Sequence, residues 1–168
     1  MRERIDQMVA GFKDALEGLK DVLEDLPAGQ EYDTGYEAAH AALAPIAWSK
    51  AVGDRIDTPE AMKVTNVSRQ ALQKQVRNET LLGIPGKTTT YFPKWQFDFH
   101  QSRVRPEAKR ILRAFKSRGQ FDPHMIAAWM NTPNADLGQD TPAHVLENGE
   151  EVERLIEVAV ETAESWAS

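Results

Sequence analysis

Cysteine is absent from all 168 residues. That excludes disulfides, thiolate zinc sites and a cysteine nucleophile, and it suits a reducing cytoplasm. Apolar runs are short as well. A bilayer span needs about 20 mostly apolar residues, whereas the N-terminal stretch sets Asp14, Glu17 and Lys20 among its apolar positions. Arg2 and Arg4 therefore introduce neither a signal peptide nor a span, and a cytoplasmic protein without membrane contact is expected. Catalytic signatures are missing too: no P-loop, no Gly-x-Ser-x-Gly elbow and no dinucleotide-binding glycine run. His100, His124 and His144 are scattered, and Asp98-Phe99-His100 is a weak metal-like triplet without a histidine at helical ligand spacing. The expectation is a protein with no catalytic residues, no metal and no cofactor.

Positive charge is scarce on average, with 20 Lys and Arg against 26 Asp and Glu and a net charge of -6. Such a balance opposes polyanion binding. The charge is segregated, however. Residues 1–49 hold 4 basic against 10 acidic side chains, residues 50–118 hold 15 against 6, and residues 119–168 hold 1 against 10, giving -6, +9 and -9. A basic centre between acidic ends is the footprint of a phosphate-contacting face.

Three segments follow, with expected limits at 1–48, 49–102 and 103–168, and the fold class is mainly α with a small β-hairpin. In the first, Ile5, Val9, Phe12, Leu16, Leu19, Leu23 and Leu26 recur at alternating steps of four and three. This is a heptad seam ending at Pro27-Ala28-Gly29. It serves either as a coiled coil that makes a homodimer or as a helix packed within its own domain, since the period alone does not separate the two. An alanine-rich helix is expected next, ending before Pro45.

The middle segment opens with Thr58 as N-cap and Pro59 at the first helical position. A short helix to Thr65, a left-handed turn at Asn66, and Ser68 as a second N-cap make a helix-turn-helix. Leu72 and Val76 face inward with Val67. Ser68, Arg69, Gln70, Gln73, Lys74 and Arg77 are then the candidate DNA-binding residues of the second helix. Arginine pairs with guanine, glutamine with adenine, and lysine neutralises phosphate. The alternative is an ordinary solvated face. Leu81 to Pro85 and Thr88 to Pro93 flank Gly86-Lys87 as a hairpin wing whose Lys87 reaches a neighbouring backbone. Trp95, Phe97 and Phe99 are expected to seal the wing against the helices. Residues 103–118 form a basic amphipathic helix opening near Pro106, resting on phosphates or pairing with the acidic flanks.

The last segment has helix starts at Asp122-Pro123 and Thr141-Pro142, a stop at Asn148-Gly149, and a final acidic amphipathic helix. Trp129 to Gly138, read as Trp-Met-Asn-Thr-Pro-Asn-Ala-Asp-Leu-Gly, is followed by Asp140-Thr141-Pro142, Leu146 and Gly149. Across residues 104–165 this resembles the toxin-binding domain of Xre/MbcA/ParS-type antitoxins. The resemblance implies a cognate toxin partner, typically of the RES class, silenced by a partner-binding set here matched to Trp129, Asn134, Leu137, Leu146, Leu155, Ile156 and Val160. It also implies repression of the protein's own operon. The middle segment separately resembles excisionase-like and MerR-like winged readers at Ala61, Val67, Ser68, Arg69, Gln70 and Leu72. Met62 stands where those have a small residue and Asn66 where they have glycine. Two other readings share the double-stranded DNA partner: a stand-alone, phage-type regulator whose last segment oligomerises, and an architectural protein without sequence preference.

Overall fold

The computed structural model describes residues 1–24 and 26–168, and every side chain among them but those of Asp21 and Val22. The fold is mainly helical with small antiparallel sheets, as the patterning predicts. It divides into two compact units, Met1–Pro45 and Ile46–Ser168.

The first unit holds α1 (Arg2–Glu17), α2 (Lys20–Leu23) and the first part of α3 (Glu31–Val52). The heptad seam is not carried by one helix, because α1 stops at Gly18. Glycine is a poor helix interior, and the last turn tightens as the Leu19 N–H reaches the Leu16 carbonyl at 3.0 Å. Ile5, Val9, Phe12 and Leu16 therefore share α1, while Leu19 falls in the turn, Leu23 ends α2 and Leu26 lies beyond it. Conversely, α3 does not end before Pro45 but runs through it. An interior proline costs about 3 kcal/mol, and tertiary anchorage holds the turns after it. Val52 is buried, and the Asn131 side chain donates to its carbonyl at 2.8 Å.

In the second unit β1 (Arg55–Asp57) leads into α4 (Thr58–Thr65) and α5 (Arg69–Arg77), followed by β2 (Ile84–Pro85) and β3 (Thr90–Pro93). The sheet order is β1-β3-β2, with Ile56 opposite Phe92 and Ile84 opposite Tyr91. A 3-10 turn over Lys94–Gln96 leads to a second hairpin, β4 (Phe97–Asp98) and β5 (Arg103–Val104). Then come α6 (Pro106–Lys116), α7 (Pro123–Met130), a 3-10 turn at Ala135–Leu137, α8 (Pro142–Asn148) and α9 (Val152–Ala167).

Two hydrophobic clusters organise this unit. The smaller gathers Ile56, Ala61, Leu72, Leu81, Phe92, Phe97 and Val104 beneath the helix-turn-helix. The larger is built from α6 to α9 and also takes in Val52, Leu82, Ile84 and Trp95. Trp95 and Phe97 are thus sealed inside, in different clusters. Phe99 is not: it sits in the β4–β5 turn and is half exposed, touching the Phe97 ring at its edge.

Candidate nucleic-acid interface

The helix-turn-helix is set by local caps. Asp57, not Thr58, is the N-cap of α4, since its carboxylate accepts from the Glu60 N–H at 2.9 Å. Thr58 is the first helical residue and is buried instead, where its hydroxyl donates to the Thr90 carbonyl of the wing at 3.1 Å. α4 ends on Asn66 at φ 53°, ψ 38°, a left-handed conformation that asparagine tolerates. Two residues on, the Ser68 hydroxyl accepts from the Ala71 N–H at 3.2 Å and starts α5.

Leu72 is fully buried under α5, with Val67 and Val76 half-buried beside it. That orientation leaves Ser68, Arg69, Gln70, Gln73, Lys74 and Arg77 exposed on the other side. Among the described residues none of Arg69, Lys74, Arg77 or Lys87 enters an ion pair with this chain. Their charges are available to an external polyanion.

The wing is short and braced. Gly86 N–H donates to Thr89 O at 2.8 Å, closing a turn with exposed Lys87 at its tip. A Cβ at Gly86 would lie 2.6 Å from the Tyr91 ring and 2.8 Å from the Thr89 carbonyl, so glycine is required for this close approach. Between α5 and the wing runs a groove of about 440 Å³, with Arg69, Gln73 and Arg77 on one wall and Thr88 and Thr89 on the other. Opposite, the Arg55 guanidinium lies 5.5 Å from the Tyr91 ring centre.

The basic helix α6 is different. Arg110 makes a two-pronged pair with Glu153 of α9 at 2.6 Å and 2.6 Å, Arg118 binds Glu164 at 2.6 Å, and Lys116 binds Glu79 at 3.2 Å. The Arg110 hydrogen bond lowers the Glu153 carboxyl below its ordinary range and raises the guanidinium. Arg110 and Lys116 of α6, and Arg118 just beyond it, are thus paired within the chain, while Lys109 and Arg113 form no ion pair among the described residues.

The residues matched to partner binding separate by burial. Leu137, Leu146 and Leu155 are 6%, 2% and 0% exposed and belong to the larger core, so their side chains do not reach the surface. Trp129 is half-buried, edge-on to Phe115 at 5.3 Å, and Asn134 caps the 3-10 turn by accepting from the Asp136 N–H. Ile156 and Val160 remain partly exposed and, with Arg110 and Arg113, line a shallow depression between α6 and α9. Of the seven seam residues Phe12 in α1 and Leu26 beyond α2 are partly covered, the other five are exposed, and α1 has no buried residue. No group of three or more potential metal ligands occurs among the described residues, and no helix there is long and apolar enough to cross a membrane.

Sequence reasoning missed three features here: the strand β1, the Thr58 brace to the wing and the buried side chain of Gln96. Only Gln96 carried a signal, as a polar residue between two aromatic ones.

A helix-turn-helix followed by a β-hairpin wing and a helical C-terminal part defines the class of fold. No family model matches the chain, and no curated protein does. Among solved structures, the NMR structure of Rv2175c is similar in fold, with a TM-score of 0.53 and 18% identity over 68% of this chain and 82% of that one.

Proposed function

We propose that this protein binds double-stranded DNA and regulates transcription, with α5 in the major groove and the β2–β3 wing on the adjacent backbone. The observation that carries the reading is the α5 surface. Arg69, Gln70, Gln73, Lys74 and Arg77 are all exposed while Leu72 is buried, and their guanidinium, amide and ammonium groups have the donors that base edges and phosphates accept. Selection of bound fragments from a pool of random duplexes tests it: enrichment of a shared short sequence supports a specific reader. Uniform recovery across the pool points to architectural binding.

The narrower reading is an antitoxin that neutralises a cognate, RES-type toxin through its C-terminal part and represses its own operon. The ordered match from Trp129 to Gly149 supports it. The alternative is a stand-alone regulator, and one observation favours it. Leu137, Leu146 and Leu155 are satisfied inside the chain's own core, so the C-terminal part has no need of a partner to cover them. Purification from the native cell at low salt separates the two. A companion in near-equal amount whose expression alone stops growth supports the antitoxin, and recovery with DNA alone supports the regulator.

A further inference from the structure

α1 is an amphipathic helix whose apolar side is largely exposed among the described residues. Ile5, Val9 and Leu16 are 52%, 61% and 42% exposed, Met8 is 48% exposed, and no residue of the helix is buried. A helix of 16 residues is near the length at which isolated helices are marginal in water, about 12 to 15 residues, so an uncovered seam of this kind calls for a partner.

The charges beside the seam identify that partner. Asp6 and Lys13 follow Ile5 and Phe12, seven residues apart, and so occupy equivalent places on the same flank of the apolar stripe. Among the described residues neither forms an ion pair within the chain. Suppose two copies of α1 pack antiparallel with Val9 of one opposite Phe12 of the other. Ile5 then meets Leu16, and the two-fold axis runs between the two helices. Asp6 of each copy falls two residues, about 3 Å of helical rise, from Lys13 of the other. Like flanks face each other in antiparallel coiled coils, so both pairs form on one side, while Met8 and Ala15 widen the apolar contact on the other. A parallel pairing instead sets Lys13 against Met8 and forms neither ion pair.

From the exposed seam and these complementary flanks we infer that α1 is a self-association element, pairing antiparallel with α1 of a second copy through Ile5, Val9, Phe12 and Leu16, in register fixed by reciprocal Asp6–Lys13 pairs. Gly18 limits the contact to this one helix, which keeps the dimer weak and concentration-dependent. The inference stands apart from the DNA reading, because either can fail while the other holds.

Sedimentation of the full chain over a range of concentrations measures it. The expected result is a monomer–dimer equilibrium weakened several-fold by Lys13→Glu, which sets two carboxylates against each other twice, and restored by the exchange Asp6→Lys with Lys13→Glu. Because the chain has no cysteine, orientation is read by crosslinking. A mixture of Val9→Cys and Phe12→Cys chains should form the mixed disulfide, and Val9→Cys alone should not. A chain that stays monomeric at every concentration overturns the inference, as does ready disulfide formation by Val9→Cys alone or a charge exchange that fails to restore association.

Discussion

Gln96 and Leu82 hold each other by two hydrogen bonds: the Leu82 N–H donates to Gln96 Oε1 at 2.6 Å, and Gln96 Nε2 donates to the Leu82 carbonyl at 3.0 Å. The amide side chain, fully buried, satisfies both backbone groups of Leu82 two residues before β2. It also reaches the Pro93 carbonyl at 3.3 Å, so the strand leading into the wing and the strand leaving it are tied at one point.

Replacing Gln96 by Leu leaves a buried N–H and carbonyl unpaired, at about 1 to 3 kcal/mol for each such group. Destabilisation of roughly 2 to 4 kcal/mol is expected in a denaturant titration. Glu at this position keeps an acceptor for Leu82 but loses the donor, and should be no better. An unchanged midpoint for both variants would show that the clasp contributes nothing.

On DNA, Arg69→Ala and Lys74→Ala should each lower affinity and reduce the slope of log K against log salt by about one. Gln73→Ala should leave the slope alone and relax preference at one base pair instead. Lys87→Ala at the wing tip should weaken all sequences alike. Anisotropy titrations at several salt concentrations distinguish these outcomes. Unaltered affinity in the Arg69, Lys74 double variant would remove α5 from the interface.

Gly53 ends α3 at φ 74°, and a Cβ there would come within 2.6 to 2.9 Å of the Asn131 amide. That amide is fixed by donating to the Val52 and Ala127 carbonyls, both at 2.8 Å. Gly53→Ala therefore combines left-handed strain of about 1 to 2 kcal/mol with a displaced hydrogen-bonding side chain. Thermal unfolding should show a lowered midpoint, and the Asn131→Ala background should recover part of it by removing the collision.

Acid sensitivity follows from carboxyls held below their ordinary range. Glu153 is lowered chiefly by the Arg110 hydrogen bond, Asp140 by that from the His144 ring, and Asp122 by the His124 N–H. A depressed folded-state value contributes stability in full above the unfolded value and loses it as pH falls through the folded one. Stability should thus decline on acidification through the carboxylate range, and Glu153→Gln should flatten that decline by the same small amount that it costs near neutrality, small because the pair is exposed. A variant with the same acid limb as the parent would show that the Arg110 pair is not coupled to folding.

Local chemistry made part of this legible in sequence. The caps at Ser68, Asp122 and Thr141 and the left-handed stops at Asn66, Gly138 and Gly149 depend on a few adjacent residues, and each is where its residue type demands. The cap of α4 shifted by one position because Asp57 and Thr58 both qualify, and a wing 32 residues away recruits the threonine. β1 is three residues long, too short to show alternation. Leu137, Leu146 and Leu155 have the spacing of a buried face, but periodicity does not say whether the covering surface belongs to the same chain. The pairing of Arg110 with Glu153 spans 43 residues, and no local pattern announces it.

The clamp of α9 on α6 bears on how much duplex the protein can occupy. Arg110 and Arg118 already hold carboxylates in place of phosphates. If α5 seats a duplex as proposed, Arg110 and Arg118 are not free to add to the contacts of Arg69, Lys74, Arg77 and Lys87, and fewer counterions are displaced per copy than the sequence count of basic residues suggests.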